Sequence, residues 1–313
     1  MAGKVNAFSS VSRDAPAVVF VNPNAGGNRT AAPLSKIQKF FAAHAIPAEF
    51  VVTGTSEELQ ARARAAIASG RHLLLALGGD GTFQGLANAA FGSDVVLGLL
   101  PAGGGNDFAL ALGLPKHTEA AWSAVFQSQP KHVDLLRAHT ADGRERLYAG
   151  GGGLGLDAEA MRYASGAYRR IPGRLRYIVA ALRALKEFES LNLSVEFPGS
   201  NLRPLQTNAL LAGVLNTPTY GGGVRLAPDA RIDDGWLDVT IVKELSAREV
   251  LGVLPALLKS GELKTPRVKR IRAQCVRLTT SRPCMFHGDG EILGPAPVEI
   301  EVVPRAMRVL APA

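Results

Sequence analysis

Several things are scarce in this sequence, and each shortage excludes a class of protein. Two cysteines, Cys275 and Cys284, stand in 313 residues, too few to staple a fold, and no Cys/His group has zinc-ligand spacing. A reduced cytosolic setting without structural zinc is the expectation. The longest apolar runs, around Leu73 to Leu77 and Val95 to Leu100, fall far short of the roughly 20 residues that cross a bilayer. The N-terminus has no apolar block ahead of a small-residue cleavage site, so a cytoplasmic protein is expected rather than a secreted one. Repeats, low-complexity tracts and linkers are missing as well. With 47% hydrophobic and 20% charged residues, the chain has material for a core and is neither disordered nor collagen-like.

Charge of one sign is in mild excess. Lys and Arg number 35 against 27 Asp and Glu, a net +8, which suits nucleic acid, an anionic membrane or a polyanionic small molecule. Position along the chain has to choose among them.

The first 130 residues alternate strand-like and helix-like segments. Residues 17 to 21 (AVVFV) run into Asn22-Pro23-Asn24-Ala25-Gly26-Gly27, and a helix follows that Thr30 can cap, with Pro33 in its first turn. Glu49 to Val52, His72 to Leu77 and Val95 to Leu100 read as further strands. Helices open at Ser56 with Glu57 and Glu58, and again after Gly78-Gly79-Asp80-Gly81-Thr82. This alternation predicts a doubly wound parallel sheet. Beyond residue 130 the texture is β-rich, with strands expected at Leu191 to Phe197, Thr207 to Val214, Leu237 to Val242, Arg267 to Thr279 and 298 to 303. Two helices, Tyr163 to Glu189 and Ala247 to Lys259, interrupt them. The fold class is therefore α/β, an N-terminal doubly wound nucleotide domain (1–130) followed by a mostly β, sandwich-like domain (131–297). A last strand at about 298–313 is expected to return to the first domain.

Three loops at the carboxyl ends of the parallel strands are glycine-rich and lead into helices. Glycine lets backbone approach a ligand, and the N–H groups of a helix start attract anions, so a polyphosphate is the natural guest. Ordinary strand-to-helix turns are the alternative for any one of them. No G-x-x-x-x-G-K-[ST] occurs. The G-x-G-x-x-G at Gly150, Gly152 and Gly155 opens the β-rich half without the acid that should follow about 20 positions on, and its glycines are read as structural.

GGDGT at 78 to 82, NPNAGG at 22 to 27, LGLLPAGGGNDFALALGLP at 97 to 115, YGGGVRLAPDARIDDGWLDV at 220 to 239 and HGDGE at 287 to 291 together resemble the diacylglycerol kinase catalytic family, in particular its small soluble bacterial lipid kinases. GGDGT alone is shared with NAD kinases and, loosely, phosphofructokinases; the later motifs discriminate. The resemblance implies an ATP-binding domain, a lipid domain and a cleft between them. It also implies transfer of the γ-phosphate of ATP, with Mg²⁺, to a lipid hydroxyl, diacylglycerol first. Another lipid alcohol (phosphatidylglycerol, a monoacylglycerol, a sphingoid base), NAD kinase activity and a catalytically weak nucleotide- and lipid-binding regulator are the alternatives.

Carried over position by position, the resemblance implies that Gly78, Gly79, Asp80, Gly81, Thr82, Phe83 and Gln84, with Gly103, Gly104 and Gly105, hold the ATP phosphates. Thr53 would contact the nucleotide and Asn22 support the cleft. Asp80, the only acid of its loop, would engage Mg²⁺ or orient the acceptor. Glu291 would be the general base and Asp289 its partner; a polar hairpin turn is what the local string alone suggests. Asp234, with the carbonyls of Arg231 and Trp236, would hold Mg²⁺. Two positions depart from the family. Gly104 stands where a threonine belongs and removes a hydroxyl contact; Gly85 stands where an acid is expected.

Arg169, Arg170, Arg174, Arg176 and Arg183, interleaved with apolar residues, and the run Lys264, Arg267, Lys269, Arg270 and Arg272 are either solvated faces or a docking surface for an anionic membrane. No nucleic-acid motif accompanies them, and nucleic acid is not expected as a partner. His287 is a second partner to the acids or a strand-end polar residue. Both cysteines are read as packing residues.

Overall fold

Near-continuous apolar runs of five or six residues suit strands covered on both faces, and such runs form the first sheet. A computed structural model describes residues 16–23, 31–102, 105–116, 118–168, 171, 173–186 and 188–313. Its contacts divide the chain into two compact units, one ending at Val133 and taking in Arg305–Ala313, the other Asp134–Pro304.

In the first unit the order is β1 (Ala17–Val21), α1 (Ala31–Ala43), β2 (Ala48–Val52), α2 (Ser56–Ala68), β3 (Leu73–Gly78), α3 (Asp80–Ala90), β4 (Val96–Pro101), α4 (Asp107–Ala111) and α5 (Thr118–Gln127). The sheet runs β2-β1-β3-β4, parallel throughout, with Val18 beside Leu74 and Leu74 beside Leu97. Every residue of β1, β3 and β4 is buried, whereas no residue of β2, which pairs with β1 alone in the 2-1-3-4 order, is fully buried. Gly98 is needed inside β4, since a Cβ there would lie 2.5 Å from the Leu75 side chain. The α2 helix opens at Ser56 as expected, and Thr55 is its N-cap, accepting the Glu58 N–H at 3.2 Å because its extended backbone aims the hydroxyl into the first turn.

The second unit holds β5 (Gln129–Thr140), begun in the first, then β6 (Glu145–Tyr148), β7 (Gly151–Gly155), α6 (Leu156–Ser165), α7 (Gly173–Leu185), β8 (Leu191–Glu196), β9 (Leu205–Leu215), β10 (Leu237–Lys243), α8 (Ala247–Ser260), β11 (Val268–Ala273), β12 (Cys275–Thr280), β13 (Met285–Gly288), β14 (Glu291–Pro295) and β15 (Val298–Ala311). Its pairings are antiparallel, with β9 bonded to β7, β8 and β10. The core is aliphatic, with Leu193, Val195, Val214, Val239, Ile241, Val276, Leu278 and Ile300 buried beside Tyr148 and Phe286. From residue 305 onward β15 counts with the first unit, where Arg308 and Val309 run parallel to Val96 and Leu97.

Two elements expected as single come in two pieces. The 267–279 strand breaks at Gln274 because it changes partners there: β11 pairs with β10, whereas β12 pairs with β8 and β15. The 163–189 helix is α6 and α7, turning at Ile171, whose N–H bonds Tyr168 O at 2.9 Å. Ile171 precedes Pro172, and a residue before proline is pushed out of the helical region. Ala160, Ala164, Ala180 and Ala184 pack together, small enough to let the two helices meet closely.

Candidate active site

In the first unit the predicted phosphate residues gather at the carboxyl ends of β1, β3 and β4, the edge where ligands of parallel sheets bind. Asn22 closes β1, and its side-chain N–H donates to Thr82 Oγ1 at 3.2 Å, tying that strand end to the first turn of α3. Gly78 can carry no side chain, because a Cβ would overlap the Thr82 hydroxyl. Gly79 is the N-cap of α3 and Gly81 lies in its first turn. Asp80 spans two loops. Its carboxylate accepts the N–H of Asp107 at 3.0 Å and of Phe108 at 3.2 Å, so the acid of GGDGT also caps α4. Asn106, just before it, adopts a left-handed φ of 56°. Gly105 precedes this turn; Gly103, Gly104 and residues 24–27 lie outside the described residues.

Other predicted positions are inside the protein. Phe83 is fully buried and packs against Phe108 with ring centroids 4.7 Å apart, while its N–H is spent on Gly79 O. Gln84 is buried too. Thr53 ends β2 with its hydroxyl buried and without a hydrogen-bond partner. Gly85, where the family has an acid, faces Leu59: a Cβ would stand 3.0 Å from its Cδ2.

In the second unit, HGDGE folds as the β13–β14 hairpin. Asp289 and Gly290 form its tip with φ of 49° and 91°, the two positive values that a tight primed turn requires and that Asp-Gly tolerates. The Asp289 carboxylate does not face solvent as a turn residue would. It accepts three backbone N–H groups, from Ala149 at 2.7 Å, Gly150 at 2.9 Å and Gly151 at 3.2 Å. Its own N–H donates to Gly151 O at 2.9 Å. The fully buried Tyr148 hydroxyl is pushed well above the usual phenol range, by burial first and by the Asp289 charge second. The glycines of 150–155 make this docking feasible. At Gly152 a Cβ would lie 2.5 Å from His287 O, and Gly155 adopts φ 110° against the Leu210 carbonyl.

Glu291 begins β14 and is exposed. It lines an open groove of about 1070 Å³ bordered by α6, α7, the 280–284 segment and the hairpin, with Glu159, Tyr163, His287, Met285 and Ile292 among its walls. Met285 and Ile292 are exposed apolar side chains, Ile292 at 60%.

The Asp233-Asp234-Gly235 turn lies at the start of β10. Asp234 accepts the Trp236 N–H at 3.2 Å and pairs with Arg272, whose guanidinium also lies over the Trp236 ring. Arg231, its other predicted companion, is exposed at the head of the turn. Burial pushes the Asp238 carboxyl up to about 6; Arg272 opposes the rise, and Asp234 and Asp229 add to it. Hard oxygen donors with surplus negative charge fit a cation such as Mg²⁺, and Arg272 neutralises part of that charge in this structure. Among the described residues, no three His, Cys, Asp or Glu side chains are grouped to hold a metal by themselves.

Two supporting residues escaped the sequence reading. Asp134 is buried in β5 and accepts the Gly235 N–H at 2.6 Å, and its own N–H donates to Ile232 O. Asn216 is fully buried and donates through Nδ2 to Asp134 O and Ala149 O, both at 3.0 Å. A continuous hydrogen-bonded chain thus runs from the Asp289 tip through Ala149, Asn216 and Asp134 to the Asp234 turn. The only local signal is a polar residue inside an apolar strand pattern.

The second basic run is largely engaged. Lys264 pairs with Glu262, Arg267 with Glu249, Arg272 with Asp234, and Arg270 donates to Leu226 O. Arg169 and Arg170 lie outside the described residues, and Arg183 lies over the Tyr163 ring. Among the described residues no helix is long and apolar enough to cross a membrane. Neither cysteine is in a disulfide; both are half-buried, and Cys284 packs against the core.

Comparison with known proteins bears on this geometry. Residues 16–138 match the diacylglycerol kinase catalytic domain, and residues 152–311 match the YegS C-terminal NAD kinase beta sandwich-like domain. The chain is 31% identical over 268 residues to a Mycobacterium tuberculosis protein named diacylglycerol kinase, covering 84% of each. It is 31% identical over 260 residues to a Stenotrophomonas maltophilia protein named "Probable lipid kinase YegS-like", covering 79% of this chain and 81% of that one. A crystal structure of a diacylglycerol kinase from Bacillus anthracis shares the fold, with a TM-score of 0.69 at 20% identity over 95% of this chain and 96% of that one. Two family models that between them span both units, and relatives matched over most of their length, place the chain in the diacylglycerol kinase family, as an enzyme of the lipid kinase class.

Proposed function

We propose that the enzyme transfers the γ-phosphoryl group of ATP to the hydroxyl of a lipid alcohol, diacylglycerol in the first place, giving phosphatidic acid and ADP. The observation that carries this reading is the division of labour in the DGE hairpin. Asp289 is fixed by three N–H groups, and Glu291 is the acid of this hairpin that lines the pocket. A pocket of about 1070 Å³ is at the upper end of small-molecule sites, roughly 300–1,000 Å³. Its apolar walls suit the glycerol end of a lipid and the first carbons of its chains.

In this reading Glu291 accepts the proton of the attacking hydroxyl, so that oxygen gains its electron pair as the bond to γ-phosphorus forms and the bond to the β-phosphate oxygen breaks. Asp289 positions the hairpin that carries Glu291. Gly78, Gly79, Gly81 and Gly105 bring backbone close to the phosphates, Asn22 and Thr82 hold their loops in register, and Asp80 sets the spacing of two helix starts. Asp234, with the Arg231 and Trp236 carbonyls, would hold Mg²⁺, which when bound supplies charge neutralisation to the phosphates. Peripheral docking on an anionic membrane completes the reading, because each acyl CH₂ brought into water costs about 0.8 kcal/mol. In the 264–272 run, Lys269 is the exposed cation with neither an ion pair nor a side-chain hydrogen bond among the described residues.

The test is transfer of labelled γ-phosphate from ATP with Mg²⁺ to dioleoylglycerol, phosphatidylglycerol, a monoacylglycerol, sphingosine and NAD. Labelled phosphatidic acid is expected. Label appearing in NAD and in none of the lipids overturns the reading, and nucleotide binding without transfer to any acceptor replaces it with a regulator.

A further inference from the structure

His287 is the one member of HGDGE that the proposed chemistry leaves without work. The strand pattern of β13 sends Phe286 into the aliphatic core, where it lies 5.9 Å from the Tyr148 ring. His287 instead lines the pocket, 7% exposed. A bulge separates these two residues in the pairing with β14, and bulges next to sites commonly re-aim a side chain. The ring opposes Ile292, one pair along the hairpin from the pairing of Gly288 with Glu291.

Its hydrogen bonding is unusual. Nδ1 is buried and has no partner. Buried polar atoms are nearly always bonded, and an exception calls for a reason. Burial alone drives the imidazole below its usual pKa, so at neutral pH it carries one donor and one acceptor nitrogen. With Nδ1 sealed, Nε2 is the nitrogen that the pocket can reach. A neutral donor beside the apolar Met285 and Ile292, one residue pair from a proposed general base, is placed to recognise an uncharged oxygen.

We propose that His287 is a specificity-determining residue of the acceptor pocket, its Nε2–H donating a hydrogen bond to an oxygen of the glycerol backbone other than the reacting hydroxyl. The inference rests on the lipid-kinase reading and deepens it, since it assigns the pocket to an acceptor with a second, uncharged oxygen near the hydroxyl.

Wild type, His287→Phe and His287→Gln are compared with dioleoylglycerol in mixed micelles, with melting temperature measured alongside. Phenylalanine keeps the ring and removes both nitrogens. It should raise the KM for the lipid about tenfold, leave kcat and the KM for ATP within about twofold, and leave the melting temperature equal or higher, because an unbonded buried nitrogen is gone. Glutamine, with an amide N–H at similar reach, should restore most of the lipid KM. A folded His287→Phe with unchanged lipid KM overturns the proposal. So does a folded His287→Gln as impaired as His287→Phe, or a loss of melting temperature with both substrates' KM rising together, which marks a structural role. Should His287→Phe not fold, His287→Gln decides: a wild-type lipid KM supports the role and a tenfold rise refutes it. A wild type inactive on every lipid removes the functional reading itself, a different result from an active wild type indifferent to His287→Phe.

Discussion

The two acids of the DGE hairpin should separate cleanly under isosteric substitution. Asp289→Asn keeps the size of the side chain, and Asn is among the few residues that tolerate the φ of 49° at this tip. Backbone strain is therefore not introduced. An amide oxygen can remain where Oδ1 accepts the Gly150 and Gly151 N–H groups. The amide nitrogen then replaces Oδ2 and sets a donor against the Ala149 N–H, which now bonds at 2.7 Å. One charge-assisted bond is lost and two become neutral; hydrogen bonds to charged groups contribute about 1.5–3 kcal/mol, and discounting for the partial exposure of the tip leaves about 2 kcal/mol. At about 2–4 °C per kcal/mol for a domain of this size, melting should fall by about 4–8 °C. Glu291→Gln touches none of these bonds and should melt within about 1 °C of wild type, while turnover falls by about 10²–10⁴, the usual worth of a general base. Thermal denaturation followed by circular dichroism, together with phosphate-transfer rates on the same samples, makes the comparison. An Asp289→Asn protein as stable as wild type refutes the anchor, and near-normal turnover in Glu291→Gln refutes the base.

Further outcomes follow from other parts of the structure. Gly152→Ala should destabilise by about 1–3 kcal/mol in urea unfolding, since its Cβ would meet backbone His287 O at 2.5 Å and the Phe286 ring at 2.7 Å; a neutral result would show that the β7–β13 approach is loose. Asp80→Ala removes the acceptor of two N–H groups at the start of α4 and should cost about 1 kcal/mol while raising the KM for ATP more than that for lipid, a split that steady-state kinetics reads directly. Asp234→Ala should raise the Mg²⁺ concentration for half-maximal rate by at least about tenfold, the scale on which even supporting groups act; full activity at limiting Mg²⁺ would make the turn purely structural. Glu249, bonded first by Arg267 and then by Ser246, is held at about 2. Its folded pKa is depressed, so its contribution to α8 is complete above about 4.5 and is lost as pH falls from there toward about 2. Protection factors of the 247–250 amides should fall across that window in wild type and stay level in Glu249→Gln.

Much of the architecture was legible because it is local. Apolar runs such as Ala17–Val21 and Leu73–Gly78 are buried on both faces and could only be strands of a covered sheet, and their alternation with helical periods fixed the parallel α/β half. The shift to short strands and turn residues foretold the β-rich half. Where the reading stopped, the missing information was non-local. The 267–279 strand looks continuous because no Gly, Pro, Asn or Asp interrupts it, and only the change of partners at Gln274 breaks it.

The same boundary divides what is known of the site. The string Asp-Gly specifies its own tight turn, since the left-handed conformations at 289 and 290 depend on those two residues alone. GGDGT likewise specifies a strand running into a helix start. That Asp289 is anchored depends on three N–H groups about 140 residues earlier in the chain. That Asp80 caps a second helix, and that Asn216 and Asp134 link two acidic turns, depends on sheet register in the same way. Conformational preference is written in neighbouring residues, whereas the partner of a carboxylate is chosen by which strands the hydrophobic core brings side by side. The sequence therefore determined which acids stand at the hairpin, and the tertiary structure decided that one is bound by the 149–151 backbone and that the other lines a pocket.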